Sequence, residues 1–160
     1  MLNRTLLSVA FGLACFPLTT VPVVAPVPGE FRGDWVAAQA ACDVPARFRV
    51  EAAKLTLFNG ADSQSFGDVE MAGPAYWGPD YKGGIQAVAF AEFNGDQPVI
   101  ATFNLNEKKG VAQVEFAQVT PGAAPNSPSA ALNARYQKLN LAKRFPLHKM
   151  PLKKCPARAE

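Results

Sequence analysis

From residue 46 onward the apolar positions recur with a period of two, the signature of strands that bury one face. In Arg47-Phe48-Arg49-Val50-Glu51, Phe48 and Val50 share one side and the charged residues share the other. Leu55 and Leu57 repeat the pattern against Lys54 and Thr56. Asn59-Gly60 predicts a turn, because both residues tolerate positive φ, and residues 66–71 are the expected answering strand. The pattern is clearest over residues 85–93, 99–105 and 111–119, where Asn94-Gly95-Asp96 and Glu107-Lys108-Lys109-Gly110 separate the runs. Connections this short predict an antiparallel meander and leave no room for the crossover helices of a parallel sheet.

The flanks read differently. Asp34 is placed to cap a short Ala-rich helical turn over residues 36–41. Residues 120–128, rich in Pro, Gly and Asn, predict a surface loop. Leu132, Tyr136 and Leu139 then fit a helical face with Ser129 as its cap, while Leu139 and Leu141 also fit a strand, so helix and strand both remain open for residues 130–145. Pro146, Pro151 and Pro156 predict an irregular, extended C-terminal tail along the surface. The fold class expected is mainly β, a small antiparallel meander sheet or barrel with short helical turns.

Composition sets the scale. The chain has 160 residues, 49% of them hydrophobic and 18% charged, which fits one globular domain. A formal charge of +3 argues against a nucleic-acid partner. The charge is unevenly spread: residues 26–134 carry seven cationic against twelve acidic side chains, and residues 135–160 carry eight against one. A basic tail therefore adjoins an acidic body. It either meets an anionic membrane surface or acidic protein, or is held down by its own domain.

Arg4 followed by the apolar run of residues 6–16 has the form of a signal peptide. Pro17, Pro22, Pro26 and Pro28 interrupt it well short of the roughly 20 apolar residues that a membrane-spanning helix needs. Two processing sites compete. Cleavage after Ala25 gives a periplasmic or secreted chain, and the alternative, Gly12-Leu13-Ala14-Cys15, resembles the lipobox of bacterial lipoproteins, with Gly12 where that motif usually has Leu. That resemblance implies lipidation of Cys15 and a membrane-anchored chain. The domain plan is thus a signal peptide over 1–25, a Pro-rich linker over 26–30, the β domain over 31–145 and the basic Pro-rich tail over 146–160. With Cys15 removed or lipidated, Cys42 and Cys155 remain, and an oxidising compartment favours a disulfide between them that ties the tail back. A single histidine, His148, argues against a metal site, and nothing calls for a cofactor.

Gly33-Asp34-Trp35 resembles the Gly-x-Trp motif that opens lipocalin-like (calycin) barrels. The resemblance implies a barrel whose floor is plugged by Trp35, with an Arg from the C-terminal part, Arg135 or Arg144, packed across it. Phe31, Gly33, Trp35, Cys42 and the segment from Arg144-Phe145-Pro146-Leu147 to Cys155 also resemble small exported bacterial proteins of uncharacterised function, a likeness that implies no activity.

Candidate chemistry is sparse. His148 sits in the Pro-flanked tail without a nucleophile motif such as Gly-x-Ser-x-Gly, and reads as a solvated polar residue. The carboxylates, Asp62, Asp68, Glu70, Asp80, Glu92, Asp96, Glu107 and Glu115 among them, are scattered, and nothing selects a catalytic pair. The stretch 72–84 gathers Tyr76, Trp77 and Tyr81 among Gly and Pro, either as a rigid recognition surface or as a plug for one end of the core. The function expected is that of an exported binding module, not an enzyme, for a small ligand or a protein partner. The alternatives are a periplasmic inhibitor of a hydrolase of the protease or lysozyme type, and a structural lipoprotein of the cell envelope.

Overall fold

A computed structural model describes residues 26–67, 69–72, 84–89 and 97–157. The strands are β1 Gly33–Ala37, β2 Ala46–Val50, β3 Leu55–Asn59, β4 Asp62–Phe66, β5 Val69–Ala72, β6 Ile85–Ala89, β7 Val99–Phe103, β8 Val111–Phe116 and β9 Pro151–Lys154. They form one nine-stranded sheet in the order β4-β3-β2-β1-β9-β8-β7-β6-β5. Every neighbouring pair is antiparallel. Two up-and-down meanders, β1 to β4 and β5 to β9, are thus joined side by side where the last strand pairs with the first.

This order forces the sheet to curl. Laid flat, its two edges would lie about 38 Å apart, whereas the link at residues 67–68 lets Phe66 of one edge and Val69 of the other separate by no more than about 11 Å. The sheet is therefore an incomplete barrel, with its seam between β4 and β5. The side chains on the inner face make one apolar cluster: Trp35, Phe48, Val50, Leu55, Leu57, Val99, Phe103, Val114, Phe116 and Leu152 come from the strands, and Val27, Phe31, Phe145 and Leu147 enter from outside them. Phe31, carried by a 3-10 turn at Gly29–Phe31, stacks on Phe103 at 4.7 Å between ring centroids, and Trp35 leans on the same ring at 5.4 Å. The Trp35 indole N–H donates to Phe31 O at 2.9 Å, so burial leaves no polar atom of the ring unpaired.

The mainly β reading holds, and β2, β3, β6, β7 and β8 lie where the period-two pattern places them. Several local expectations do not. The expected helical turn over 36–41 gives way to β1, because the Asp34 carboxylate accepts two bonds from Arg49, at 2.7 and 2.9 Å, and so is not a helix cap. The strand that answers β3 is Asp62–Phe66, in register from Asn59↔Asp62 to Leu55↔Phe66; β5 begins the second meander instead. The open choice for residues 130–145 resolves as helix, α1 Pro128–Leu139 and α2 Leu141–Arg144, with Asn140 in the left-handed conformation between them. The cap of α1 is Ser127, whose Oγ accepts from Ala130 N at 3.1 Å, not Ser129, since Pro128 takes the first helical position.

The C-terminal segment departs furthest from expectation. Residues 146–157 are no surface tail: Leu147 and Leu152 are buried, and β9 lies between β1 and β8 in the middle of the sheet. Pro151 is tolerated because it is the first residue of its strand. Two of the basic residues near the end do meet body carboxylates, Arg144 with Asp62 at 2.7 Å and Lys149 with Glu115 at 3.3 Å.

Cys42 and Cys155 are bonded, with Cα atoms 5.7 Å apart and a sequence separation of 113. Closing a loop of that length is worth about 4 to 5 kcal/mol in the chain-entropy model, so Cys42→Ser with Cys155→Ser should lower the unfolding free energy by up to that amount in a denaturant titration. Trp35→Ala, which empties a large aromatic site, should cost about 3 to 5 kcal/mol in the same measurement. A loss under about 1 kcal/mol, typical of surface positions, would contradict the central role of either group.

Candidate functional site

A cleft among the described residues opens at one end of the sheet, where β1 begins and β9 ends. It has a volume of about 920 Å³ and is lined by Arg32, Gly33, Asp34, Cys42, Arg49, Lys154, Cys155, Pro156 and Ala157. Strand register assembles it. Asp34 lies opposite Arg49 across the β1–β2 ladder, Trp35 lies opposite Lys154 across β1–β9, and Cys155 N donates to Asp34 O at 2.8 Å. The disulfide then fixes residue 42, in the connection between β1 and β2, against the end of β9.

Among the described residues three cations and one carboxylate line the cleft, and each cation is anchored. Arg49 forks onto Asp34 through Nε and Nη2. This bond and the nearby carboxylates hold its guanidinium above the ordinary range. The guanidinium groups of Arg47 and Arg49 also lie over the Phe58 ring, at 4.4 and 5.4 Å from its centroid. Arg32 Nε donates to Val27 O at 2.7 Å, and Lys154 Nζ donates to Glu30 O at 2.7 Å. Gly33 fits beneath the lysine stem because it lacks a side chain: its φ is +127°, and a Cβ would come within 3.2 Å of Lys154 Cε.

The calycin resemblance implies Arg135 or Arg144 across Trp35. The residue in register with Trp35 is instead Lys154, bonded to the 3-10 turn that supplies Phe31. Arg144 is occupied elsewhere, on Asp62, on Leu139 O and over the Phe145 ring. Arg144 therefore does not cross Trp35, because the closing strand is β9 and Arg144 ends α2 before β9 begins.

Tyr76, Trp77 and Tyr81, the aromatic candidates, lie outside the described residues, as does Cys15. His148 is not the solvated residue expected. It is partly buried against Phe116, its Nδ1 accepts from Phe116 N at 3.0 Å, and its Nε2 lies 3.0 Å from Gln118 Nε2, so it joins the segment before β9 to the end of β8. Among the described residues no group of three or more His, Cys, Asp or Glu is placed to hold a metal ion. Arg32 and Lys154 carried no sequence signal, and Arg49 showed only as an outward-facing strand residue. Their convergence depends on strand pairings that no local pattern encodes.

Comparison with protein-family models, with curated proteins and with solved structures finds no match to this chain.

A second polar group sits at the seam end of the sheet. There Arg144 forks onto Asp62 and reaches Gln64 Oε1 at 3.4 Å, while Asn59 Nδ2 donates to Arg144 O. The bond from Arg144 holds the Asp62 carboxyl below the ordinary aspartate range. A carboxyl that titrates lower in the folded than in the unfolded chain stabilises the fold above its unfolded pKa, and that contribution disappears as pH falls through its folded value. In an NMR titration Asp62 should therefore protonate at lower pH than an unpaired aspartate, and Arg144→Gln should raise its midpoint towards the ordinary value. An unchanged midpoint would mean that the pair does not persist in solution.

Proposed function

We propose that the chain is an exported binding module, which holds its ligand in the cleft at the joined chain ends and does no chemistry on it. The observation that carries this reading is the cleft: an open space of about 920 Å³, within the range of small-molecule sites, on a frame made rigid by a disulfide and by three anchored cations. The lumen of the sheet is filled by Phe31, Trp35, Phe48, Phe103 and Phe145, which directs binding to the outside of the barrel. Export is supported by the apolar N-terminal run with its flanking Arg4, and the disulfide is compatible with an oxidising compartment. Release after Ala25 gives the free module, and lipidation of Cys15 would give the same module on a tether.

Two measurements test the proposal. Intact-mass analysis of the protein recovered from the cell envelope should give a chain that starts at Pro26, or a lipidated Cys15, with no titratable thiol. An unprocessed chain with reduced Cys42 and Cys155 would overturn export. A thermal-shift screen of the oxidised protein should find ligands that raise the melting temperature saturably, since a ligand at about 100 times its Kd adds about 2.7 kcal/mol. Ala157→Trp, which fills the cleft from its exposed rim, should abolish that rise without lowering the melting temperature of the free protein. A rise that survives Ala157→Trp would place the site elsewhere.

A further inference from the structure

We propose that the cleft is specifically a phosphate site, filled by a phosphate-bearing molecule of small-molecule size. The inference rests on the binding-module reading and adds the ligand class. Charge is the first argument. Among the described residues Arg32, Arg49, Lys154 and the carboxylate of Asp34 are the charged groups of the lining, which gives it two more positive than negative charges. A phosphomonoester, with a charge of about −1.5 to −2 at neutral pH, balances that excess, and a carboxylate leaves half of it uncompensated.

Donor geometry is the second. Arg49 has committed its Nε–Nη2 edge to Asp34 and offers a ligand Nη1, while Arg32 keeps the edge formed by its two terminal nitrogens. Among the described residues of the lining, the side-chain donors left for a ligand are Arg49 Nη1, the two terminal nitrogens of Arg32 and the remaining N–H groups of Lys154. They come from three separate segments: the lead into β1, the C-terminal part of β2 and the end of β9. Each cation is already fixed by a bond to the protein, which lowers the ordering cost of binding.

Size is the third argument. A cleft of about 920 Å³ is far larger than a phosphate ion, which leaves room for an organic remainder against Pro156, Ala157 and the disulfide.

The test uses the oxidised, ¹⁵N-labelled mature chain titrated with phenyl phosphate, inorganic phosphate, benzoate and phenol. Phenyl phosphate should give saturable shifts centred on the amides of Gly33, Asp34 and Cys155, with benzoate and phenol at least about tenfold weaker, the factor that one charge-assisted bond supplies. Arg32→Gln and Lys154→Gln should each weaken phenyl phosphate about five- to tenfold, Lys154→Arg should restore most of the loss, and added salt should weaken the wild-type complex. Amide spectra of the variants that match the wild type away from the cleft show that they fold. Co-sedimentation with phosphatidylcholine vesicles, with and without phosphatidic acid, separates the sources. Capture that needs phosphatidic acid and is lost in Lys154→Gln assigns a lipid headgroup, and binding of phenyl phosphate without vesicle capture assigns a soluble ester. Benzoate as tight as phenyl phosphate, an affinity indifferent to both Gln substitutions, or no saturable shift at millimolar phenyl phosphate would overturn the proposal. If a neutral compound still raised the melting temperature in a cleft-dependent way, the binding module would stand without its phosphate specificity.

Discussion

The pairing of β9 with β1 and β8 is the constraint on which the rest of the structure depends. Four residues, Pro151 to Lys154, supply the only ladder that joins the β1–β4 meander to the β5–β8 meander among the described residues. Without them Ala37 and Ala112, which both face Leu152 across the ladders, would have no common neighbour, and the inner faces of the two meanders would not meet. A ladder so short gains little from its own hydrogen bonds, each worth about 1 kcal/mol net. Its support comes from either side. Phe145, Leu147 and Leu152 bury apolar area just before and within it, and the disulfide at Cys155 restrains the end of the chain just after it. The bridge, which spans a sequence separation of 113, also removes most of the loop entropy that β9 would otherwise lose on pairing with β1.

Most of the fold that was legible in the sequence is the part whose neighbours in space are neighbours in sequence. β2 and β3 announce themselves through Phe48, Val50, Leu55 and Leu57, and β6 to β8 through an alternation set off by turn residues. Three strands were hidden, each for its own reason. Asp62-Ser63-Gln64-Ser65-Phe66 is an edge strand that buries only Phe66, so it lacks the apolar alternation that marks a strand. Gly33-Asp34-Trp35-Val36-Ala37 buries Trp35 on one face and Val36 on the other, which erases the period of two and leaves a cap-like Asp before a run of Ala. Pro151-Leu152-Lys153-Lys154 has one apolar residue between prolines and is a strand only because two partners flank it. In each case tertiary context overrides local propensity.

The cleft was less legible than the fold, and the difference is one of distance along the chain. Its charged residues fall at 32, 34, 49 and 154, and only the pair of ladders beside β1 brings them to one end of the sheet. The cysteine pair was readable from count and compartment alone, because an exported chain left with two thiols has one intramolecular way to pair them. Asp34 illustrates the opposite case. Its position before Trp35 suggests a helix cap, yet its role follows from the residue across the ladder, Arg49, which sequence spacing does not reveal.

Closure and the cleft prove to be the same device. Lys154 is the last residue of the closing strand, it lies in register with Trp35, and its ammonium is tied to the 3-10 turn that sends Phe31 onto Phe103. Its stem passes over Gly33, where a side chain would obstruct it. The same residue therefore secures the aromatic plug from above and presents charge to the cleft. Arg49 is likewise shared, since it ties β2 to β1 through Asp34 while its remaining edge lines the opening. A ligand seated there would touch the end of β9, the start of β1 and the C-terminal part of β2 at once. Such a ligand binds only the closed sheet, so whatever free energy it contributes is added directly to the pairing of the chain's first and last strands.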